Sequence, residues 1–559
     1  MAKIVLICSR VSRREIERSK LESVCRRISP EDMDVRVIDL SDDPALALIV
    51  VNPPSTLAMA TGAACLGTIF GQSSGWAEVG TAAPDGCYAI YRSNAACVEI
   101  LTDASGSRSV WYCQLPDVFI ASTSQRAIIS IMGSFRLNNS AIHWLLSSGS
   151  LGPNISWDSR ISSLGAESRL VLDRAAWSIT VEETPIGFDP VERPVPIWMI
   201  QLQERLATLA DSLRVTMGDQ WPLALSGGVD SRALAILLSR KYPLRAITWG
   251  MLDALNESQN DAHIATVLAK RLSISHHYIA MEPHKISAET ILARFIELGE
   301  ARADRIGGYI DGFHIWSWLR NQGIPGLIRG DESFGWIQVA SERAVRRALG
   351  LDLLSDYLSD RDILRFGMTS QAWPQQFNRM AGETLETWRD RLYQRCRAPT
   401  LLAALNELKC GYIEIVNPFL SKSLIHFVRT MPDHLRTNKQ LFRDFIRRIG
   451  PSVPLATSPA VPPLVDLLTG LGFREAVQRV LVSERARELM SPELLDYMLN
   501  PVPVGGHVRP QPIAGRRWPP GVLAFRGCLA VMVATMLTDD AAYFATPPIL
   551  ANISSKPQS

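Results

Sequence analysis

The feature that most constrains this chain is a glycine turn between two apolar runs. Residues 222–225 are apolar, residues 226–231 read SGGVDS, and a second apolar run begins at residue 233. Adjacent glycines let the backbone turn tightly, so that successive N–H groups and the positive end of the next helix converge on one anion. Ser226 and Ser231 add hydroxyl groups, and Asp230 can hold a hard divalent cation against the same phosphates. The order strand, turn, helix predicts a phosphate-binding loop in an α/β fold, with an ordinary capped turn as the alternative.

Length and composition limit the class of protein. A chain of 559 residues is too long for one core, so we expect two or more domains. The apolar content of 47% and the net charge of +2 are typical of a soluble globular protein without a nucleic-acid or membrane partner. The apolar stretches 57–70 and 527–537 fall short of a membrane span, and the apolar run at 4–7 is shorter than that of a signal peptide. Nine cysteines without a CxxC pair indicate free thiols in a reducing compartment, which predicts a cytoplasmic protein.

The first part of the chain alternates short β-rich runs with helical segments. We expect an α+β layered domain there. The predicted strands are 87–91, 97–101, 110–113, 118–121 and 169–172, and the predicted helices are 125–132 and 140–146.

A proline-rich segment, 182–196, is the best candidate for a linker. After it, the chain alternates strand and helix, which predicts a parallel sheet with crossover helices. Helices dominate from about 285 to 450. Two segments rich in proline and glycine, 451–463 and 500–521, are expected to be loops near the entrance to a site or disordered connectors. The predicted elements are a helix at 198–213, a strand at 223–225, a helix from about 230, a strand at 246–249, a helix at 260–271 and a strand at 277–280.

The glycine turn fits neither the Walker pattern nor the dinucleotide fingerprint. It resembles the SGGxDS loop of the PP-loop ATP pyrophosphatases, which release pyrophosphate from ATP. Three later segments, 328–335 (IRGDESFG), 414–420 (EIVNPFL) and 439–443 (KQLFR), resemble motifs of the asparagine synthetase class and occur in its order. The resemblance implies a parallel-sheet synthetase domain with helical additions over residues 191–559. It also implies ATP and Mg²⁺ as cofactors.

The first domain resembles the glutaminase domain of the same class. The segments 84–90 (PDGCYAI), 101–106 (LTDASG) and 119–124 (FIASTS) carry this resemblance, which implies an Ntn-type α+β sandwich over residues 1–190. Such glutaminases use a cysteine that follows the initiator methionine, whose thiolate attacks glutamine. Here residue 2 is alanine, and Cys8 lies in a predicted strand. We therefore expect a degenerate domain that makes no ammonia.

An enzyme of this class without ammonia takes its amine from a substrate, as β-lactam synthetases and lasso peptide cyclases do. Segments 119–127 (FIASTSQRA) and 147–153 (SSGSLGP) resemble the proteobacterial lasso cyclases. Residues 327–329 (LIR) lack the tyrosine that β-lactam synthetases carry before the second metal aspartate. The resemblance implies an AMP-forming ligase that adenylates an Asp or Glu side chain of a processed precursor peptide and closes a macrolactam with its N-terminal amine.

Other functions stay open at this point. One is a β-lactam synthetase-like or asparagine synthetase-like amide ligase acting on a small carboxylate, and another is an inactive scaffold. The lasso alternative implies a leader peptidase and a leader-recognition protein as further partners.

The resemblance also assigns roles to individual residues. Lys439 is expected to stabilise the reacting adenylate, with a solvated surface lysine as the alternative. Glu414 is expected to orient or deprotonate the amine, or else to be structural. Trp249 and Gly330 are expected to flank the adenine and ribose, although Trp249 also fits a core position. Arg232 stands where the family has a small residue, and it either contacts phosphate or lies along the helix.

The resemblance implies that the metal ligands are Asp230 and Asp331. The ATP-binding residues that it implies are Leu225, Ser226, Gly227, Gly228, Asp230, Ser231, Trp249 and Gly330.

Overall fold

The computed structural model describes residues 2–10, 18–71, 73–217, 220–467, 472–500 and 518–545. It is a mixed α/β protein with two antiparallel sheets followed by a parallel one. In the first part the elements are β1 Lys3–Ser9, α1 Arg18–Arg27, β2 Val37–Asp39, β3 Leu46–Val51, β4 Ala58–Ala60, β5 Ala63–Ile69, β6 Gly86–Ser93, β7 Cys97–Thr102, β8 Val110–Gln114, β9 Val118–Ser122, α2 Gln125–Met132, α3 Asn139–Ser148, β10 Ser162–Leu164, β11 Ser168–Asp173 and β12 Ser178–Glu183.

The two antiparallel sheets of the first part share one core. Their strand orders are β10-β8-β9-β1-β3-β2 and β12-β11-β7-β6-β5-β4. Strand β1 shows how the layers arise, because successive side chains of a strand point to opposite faces. Ile4 and Leu6 join the core between the sheets, whereas Val5 and Ile7 pack with the helical layer that includes α2. Two sheets and a helical layer therefore form the α+β sandwich that the sequence predicts.

The rest of the chain builds the parallel sheet and its helices. Between α11 and α12 the helix widens into π-type turns over Tyr393–Leu402. The elements are α4 Val195–Met217, β13 Leu223–Ala224, α5 Val229–Ser239, β14 Arg245–Gly250, α6 Asp261–Arg271, β15 Ser275–Ala280, α7 Ala288–Gly299, α8 His314–Asn321, β16 Gly326–Ile328, α9 Glu342–Leu349, α10 Asp360–Arg365, α11 Leu385–Leu392, α12 Ala403–Cys410, β17 Glu414–Val416, α13 Lys422–Arg429, α14 Asp433–Arg436, α15 Gln440–Ile449, α16 Leu464–Leu467, α17 Phe473–Leu481, α18 Glu484–Leu489, α19 Pro492–Leu499 and α20 Pro520–Phe544.

The parallel sheet has the order β15-β14-β13-β16-β17. Leu223 in β13 pairs with Ala246 on one side and with Ile328 on the other. Strands β14 and β15 are thus added on one side of β13, whereas β16 and β17 are added on the other side. In open α/β sheets, a crevice for ligands forms outside the carboxyl ends of the strands at such a switch point.

The predicted elements agree with the structure to within a few residues. The helix at 125–132 has the expected bounds, and the linker candidate corresponds to a stretch between Glu183 and Val195 without a helix or strand. The domain division at residue 190 stays a prediction. Residues 451–463 contain no helix or strand, as expected, whereas 501–517 of the other predicted loop lie outside the described residues.

Helix α20 corrects one expectation. The run 527–537 is part of a helix of 25 residues that, by length and composition, passes as a membrane span, and no other helix in the described ranges does. However, 61% of its apolar window is buried inside the protein. It packs against α2, α3 and α17. The helix therefore packs as part of the core of the described structure.

Candidate active site

A cleft of about 300 Å³ opens at the switch point between β13 and β16. It gathers both predicted metal ligands, Asp230 and Asp331, and seven of the eight predicted ATP-binding residues. These seven are Leu225, Ser226, Gly228, Asp230, Ser231, Trp249 and Gly330. The eighth, Gly227, lies in the same loop, where its N–H donates to Asp261 Oδ1 at 2.8 Å. The topology thus brings together residues that are about 100 positions apart.

The glycine loop is shaped by its own two serines. Ser226 Oγ and Ser231 Oγ lie 2.8 Å apart, and Ser231 Oγ also accepts the Ser226 N–H at 3.0 Å. Ser226 Oγ accepts the Gly228 N–H at 3.2 Å. The serine hydroxyls and these amides therefore hold the loop itself, which differs from the expectation that they all face a phosphate.

The start of helix α5 is left open for an anion. Its N-cap residue is Gly228, which provides no side-chain hydrogen bond to the first turn. The first N–H groups of a helix lack partners within the helix, and the dipole makes this end positive. The amides of residues 229–231 are therefore the donors that suit a phosphate group.

Gly330 is required by a close approach of two backbones. A Cβ atom at this position would lie 2.8 Å from Ser231 N and 2.9 Å from the carbonyl carbon of Asp230. Real Cβ atoms essentially never come so near to other atoms. The chain after β16 therefore contacts the start of α5 directly, and this contact sets the spacing between the glycine loop and Asp331.

Lys439 contacts the cleft-lining Asp230 and links it to a second carboxylate, Glu332. Its Nζ donates to Asp230 Oδ1 at 3.0 Å and Oδ2 at 2.8 Å, and it lies 2.7 Å from Glu332 Oε1. Only 15% of its side chain is exposed, so the alternative of a solvated surface lysine is wrong. Lys439 and the preceding Asn438 both have left-handed backbone angles, with φ of 57° and 56°. Two such residues in succession are costly, and strain of this kind clusters at functional sites.

The electrostatics of this cluster follow from burial and from one shared cation. Burial raises the pKa of Glu332 to about 7 and also raises the pKa of Asp230, although Lys439 opposes both shifts. For Lys439, burial acts to lower the pKa, but the two carboxylates outweigh it and raise the pKa above its usual value. The Lys439 ammonium group therefore keeps its charge and is the shared counter-ion of Asp230 and Glu332.

The two aspartates fit a magnesium ion that is shared with a polyphosphate. Asp331 is about a quarter exposed, and its Oδ2 lies 3.4 Å from Arg329 Nε. No group of three or more metal-ligating side chains occurs in the described part of the chain. Mg²⁺ commonly uses one or two carboxylates and completes its octahedron with phosphate oxygens and water. The donors present thus suit a metal that arrives with a nucleotide.

Trp249 fits both of its sequence-based interpretations, a residue beside the nucleotide and a residue of the core. It lines the cleft from β14, and it is half-buried. Its ring meets that of the fully buried Trp316 edge-on, with centroids 5.2 Å apart. One part of the indole therefore belongs to the core, and the other is available to a flat ligand.

The position of Glu414 contradicts its expected role in orienting or deprotonating the amine. It is the first residue of β17 and pairs with Gly326, the first residue of β16, whereas the cleft lies at the carboxyl ends of the strands. Its side chain is 3% exposed and forms an ion pair with the buried Arg108 of the first part of the chain. A carboxylate held in this way cannot reach an incoming amine, so Glu414 is structural.

Sequence reasoning missed two features of the site. Glu332 was part of a recognised motif, yet its contact with Lys439 was not foreseen. Asp261 is the first residue of α6, and no local pattern indicates that it holds Gly227. Only proximity in three dimensions reveals these two roles. By contrast, residues 459–461 line the cleft, which agrees with the expectation of a loop near the entrance to a site.

Comparison with known proteins supports the class of this site. Residues 206–309 match the family model described as asparagine synthase. This range contains the glycine loop and β14, and it ends before Asp331 and Lys439. The match supports an asparagine synthetase-like protein, that is, an ATP-dependent carbon–nitrogen ligase of the PP-loop type.

Two further comparisons add little to this class. No curated protein matches the chain. One similar solved structure is the glutamine phosphoribosylpyrophosphate amidotransferase from B. subtilis, complexed with ADP and GMP, at 10% identity and a TM-score of 0.19. The match covers 49% of this chain and 65% of that one, just under two thirds of its length. A likeness this weak carries no argument about the activity of this chain.

Proposed function

We propose that this chain is an ATP-dependent lasso peptide cyclase. It would adenylate an Asp or Glu side chain of a processed precursor peptide and join it to the N-terminal amine of the same peptide, with release of AMP and pyrophosphate. The observation that carries the proposal is the meeting of Asp230 and Asp331 at one cleft beside an uncapped helix end, with Lys439 in contact with Asp230.

The cleft suits the first half-reaction. The substrate carboxylate oxygen attacks the α-phosphorus of ATP, and the bond to the bridging oxygen breaks as pyrophosphate leaves. The amides at the start of α5 bind phosphate oxygens, and Asp230 and Asp331 would hold Mg²⁺, which neutralises charge on the leaving group. Lys439 contacts Asp230 and Glu332, so its ammonium group would lie close to the negative charge that develops on the leaving group.

Closing the ring in the second half-reaction is mainly a matter of position. The peptide amine attacks the acyl carbon, AMP leaves with the bonding electrons, and the amine loses its proton. Lys439 supplies a fixed positive charge for the tetrahedral intermediate. Holding the amine and the acyl group together within one molecule replaces a slow encounter by an intramolecular step. Because Glu414 is paired with the buried Arg108 and does not line the cleft, we assign it no proton transfer.

An amine that comes from the substrate agrees with the cysteine chemistry of the chain. Burial raises the pKa of every one of the nine cysteines, and the pKa of Cys8 in β1 reaches about 11. A thiolate nucleophile for glutamine needs the opposite shift. The first part of the chain therefore offers no activated thiol to release ammonia.

The peptide substrate and the partners rest on the resemblance of segments 119–127 and 147–153. We propose that the partners are a leader peptidase and a leader-recognition protein, and that the chain acts in the cytoplasm. The second segment packs against the synthetase part, since Asp304 N donates to Gly149 O at 2.8 Å and Leu151 N donates to Arg302 O at 3.2 Å.

The experiment combines the purified chain with Mg·ATP and synthetic peptides. These peptides carry a free N-terminus and one acidic residue at ring distance. We expect pyrophosphate and AMP to form and the peptide to lose one water molecule. The same peptide with an acetylated N-terminus should be adenylated but not cyclised. Asp230→Asn should abolish pyrophosphate release, whereas Asp444→Asn, an exposed carboxylate on α15, should not.

Three outcomes would contradict the proposal. Formation of ADP in place of AMP would refute adenylation. Turnover of small carboxylates with a second small molecule or with ammonia, and not of any peptide, would favour the amide-ligase alternative. Binding of peptide without any pyrophosphate release, unchanged in Asp230→Asn, would indicate a scaffold.

A further inference from the structure

An irregular segment, residues 453–461, crosses the glycine loop and forms part of the cleft wall; we call it the strap. It contains no helix, yet its backbone is held from several directions. Its Pro459, Ala460 and Val461 line the cleft together with Trp249. The hydrogen bonds that fix it are Ala456 N to Gly227 O (3.2 Å), Asp261 N to Ser458 O (2.9 Å), Met251 N to Ala460 O (2.8 Å) and Asn260 Nδ2 to Pro459 O (3.0 Å).

Two glycines of the sheet edge allow the strap to come this close. A Cβ on Gly227 would lie 2.6 Å from the Ala456 methyl group, and one on Gly250 would lie 2.5 Å from that of Ala460. Any larger side chain at either position would push the strap away from the cleft. The strap is therefore packed directly on the glycine loop and on the end of β14.

Arg232 anchors the beginning of the strap. It follows the SGGVDS loop on α5, and it is 6% exposed. Its Nη1 donates to Val453 O at 2.5 Å and its Nη2 to Pro454 O at 2.6 Å. A guanidinium group can reach two carbonyls in this way because its donors form a planar fork.

The charge of Arg232 has no counter-ion among the described residues. Its Nε is buried without a hydrogen-bond partner, and its Nη2 lies 3.5 Å from Gly227 O. Burying an unpaired cation is costly, so a hydrophobic residue would serve better if packing were the sole role of this position. An anion bound at the adjacent glycine loop would reduce that cost.

We propose that Arg232 is a positioning residue which fixes the strap as a wall of the ATP cleft. This inference rests on the proposed function, because it takes the ligand of the cleft to be Mg·ATP. Since Arg232 holds the strap and the strap contacts the loop, ATP binding and strap order must support each other. Coupling of this kind is reciprocal.

The test compares Arg232→Met with Arg240→Met. Arg240 follows the same helix and also donates to a carbonyl, that of Ile449 at 2.7 Å, but it is exposed and outside the strap. We expect Mg·ATP to bind about tenfold more weakly to Arg232→Met, as measured by calorimetry. Hydrogen exchange at the amides of Met251, Asp261 and Ala456 should accelerate. Arg240→Met should retain the parent affinity and exchange rates.

Failure of the inference and failure of the proposed function give different results. If the parent protein does not bind Mg·ATP, the proposed function is wrong. If the parent binds it and Arg232→Met binds it equally well, the positioning role is wrong.

A chemical rescue separates positioning from general destabilisation. Guanidinium ion, at concentrations far below denaturing ones, should restore part of the ATP affinity of Arg232→Ala and slow exchange in the strap. Arg232→Lys should bind ATP with intermediate affinity, because one ammonium group can still serve a carbonyl. If neither the ion nor the lysine recovers any affinity, the contacts with Val453 and Pro454 do not hold the strap for ATP, and the inference fails.

Discussion

Replacing Gly330 by alanine should disrupt the ATP cleft without touching a charged group. The new methyl carbon would lie 2.8 Å from Ser231 N and 2.9 Å from the carbonyl carbon of Asp230, whereas ordinary contacts begin at 3.4 Å. The two backbones must separate by about 0.5 Å, since neither neighbour is the flexible end of a side chain. Overpacking of this size costs about 1–3 kcal/mol of stability. Because misplacement by about 1 Å can cost a hundredfold, we expect a loss of at least about tenfold in ATP affinity.

The assay is calorimetric titration of Mg·ATP, together with thermal unfolding. The matched control is Gly308→Ala, since a Cβ there would have no other atom within 4 Å. The control should bind ATP like the parent and keep its melting temperature. If Gly330→Ala binds ATP with unchanged affinity, the close approach does not set the geometry of the phosphate site, and our description of the cleft is wrong.

Three further predictions follow from buried charges. Lys439→Met should lower the rate of pyrophosphate release by about a hundredfold or more, because one preorganised charge near the reacting phosphate is lost, and an unchanged rate would exclude that role. Glu414→Gln should cost about 3–5 kcal/mol in denaturant unfolding by leaving Arg108 buried and unpaired, while turnover per folded molecule stays the same. Burial opposes ionisation of Glu167, but His426 and neighbouring cations outweigh it and lower its pKa to about 2. Glu167→Gln should therefore cost about 2 kcal/mol at pH 7, and unfolding curves should show this cost shrinking as the pH falls from about 4.5 toward 2.

Local patterns predict much of this fold because the signals that set its elements are local. The helix at 125–132 has Ser124 as its cap and a left-handed Gly133 at its end, and both can be read from neighbouring residues. The strand before the glycine turn and the helix after it correspond to apolar runs of the expected kind. The alternation of strands with helices indicates a parallel sheet, and the carboxyl ends of parallel strands meet at one edge. That geometry brought Asp230 and Asp331 together as expected.

The missed parts of the site depend on contacts between distant segments. Residues 453–461 lack periodicity, so their sequence predicts a loop near the entrance to a site or a disordered connector, but not the contacts that this segment makes. Their place over the glycine loop depends on Arg232 and on two glycines that tolerate close packing. Glu414 shows a different error. It lies in a segment that resembles a functional motif, but here its side chain is buried in an ion pair with Arg108, about 300 residues earlier in the chain. Resemblance locates a motif in a fold, whereas burial and partners decide what its side chains do.

The first part of the chain acts on the cleft indirectly. All residues that line the cleft come from 224–461. However, Arg108 pairs with Glu414 at the start of β17, and Asp85 accepts the Lys422 N–H at 2.7 Å just beyond that strand. Strand β17 is the neighbour of β16, whose continuation carries Asp331. The first part of the chain therefore supports the edge strand β17, against which the strand that leads to Asp331 is aligned. Substitutions at these contacts should change the stability of the parallel sheet before they change the chemistry at its carboxyl ends.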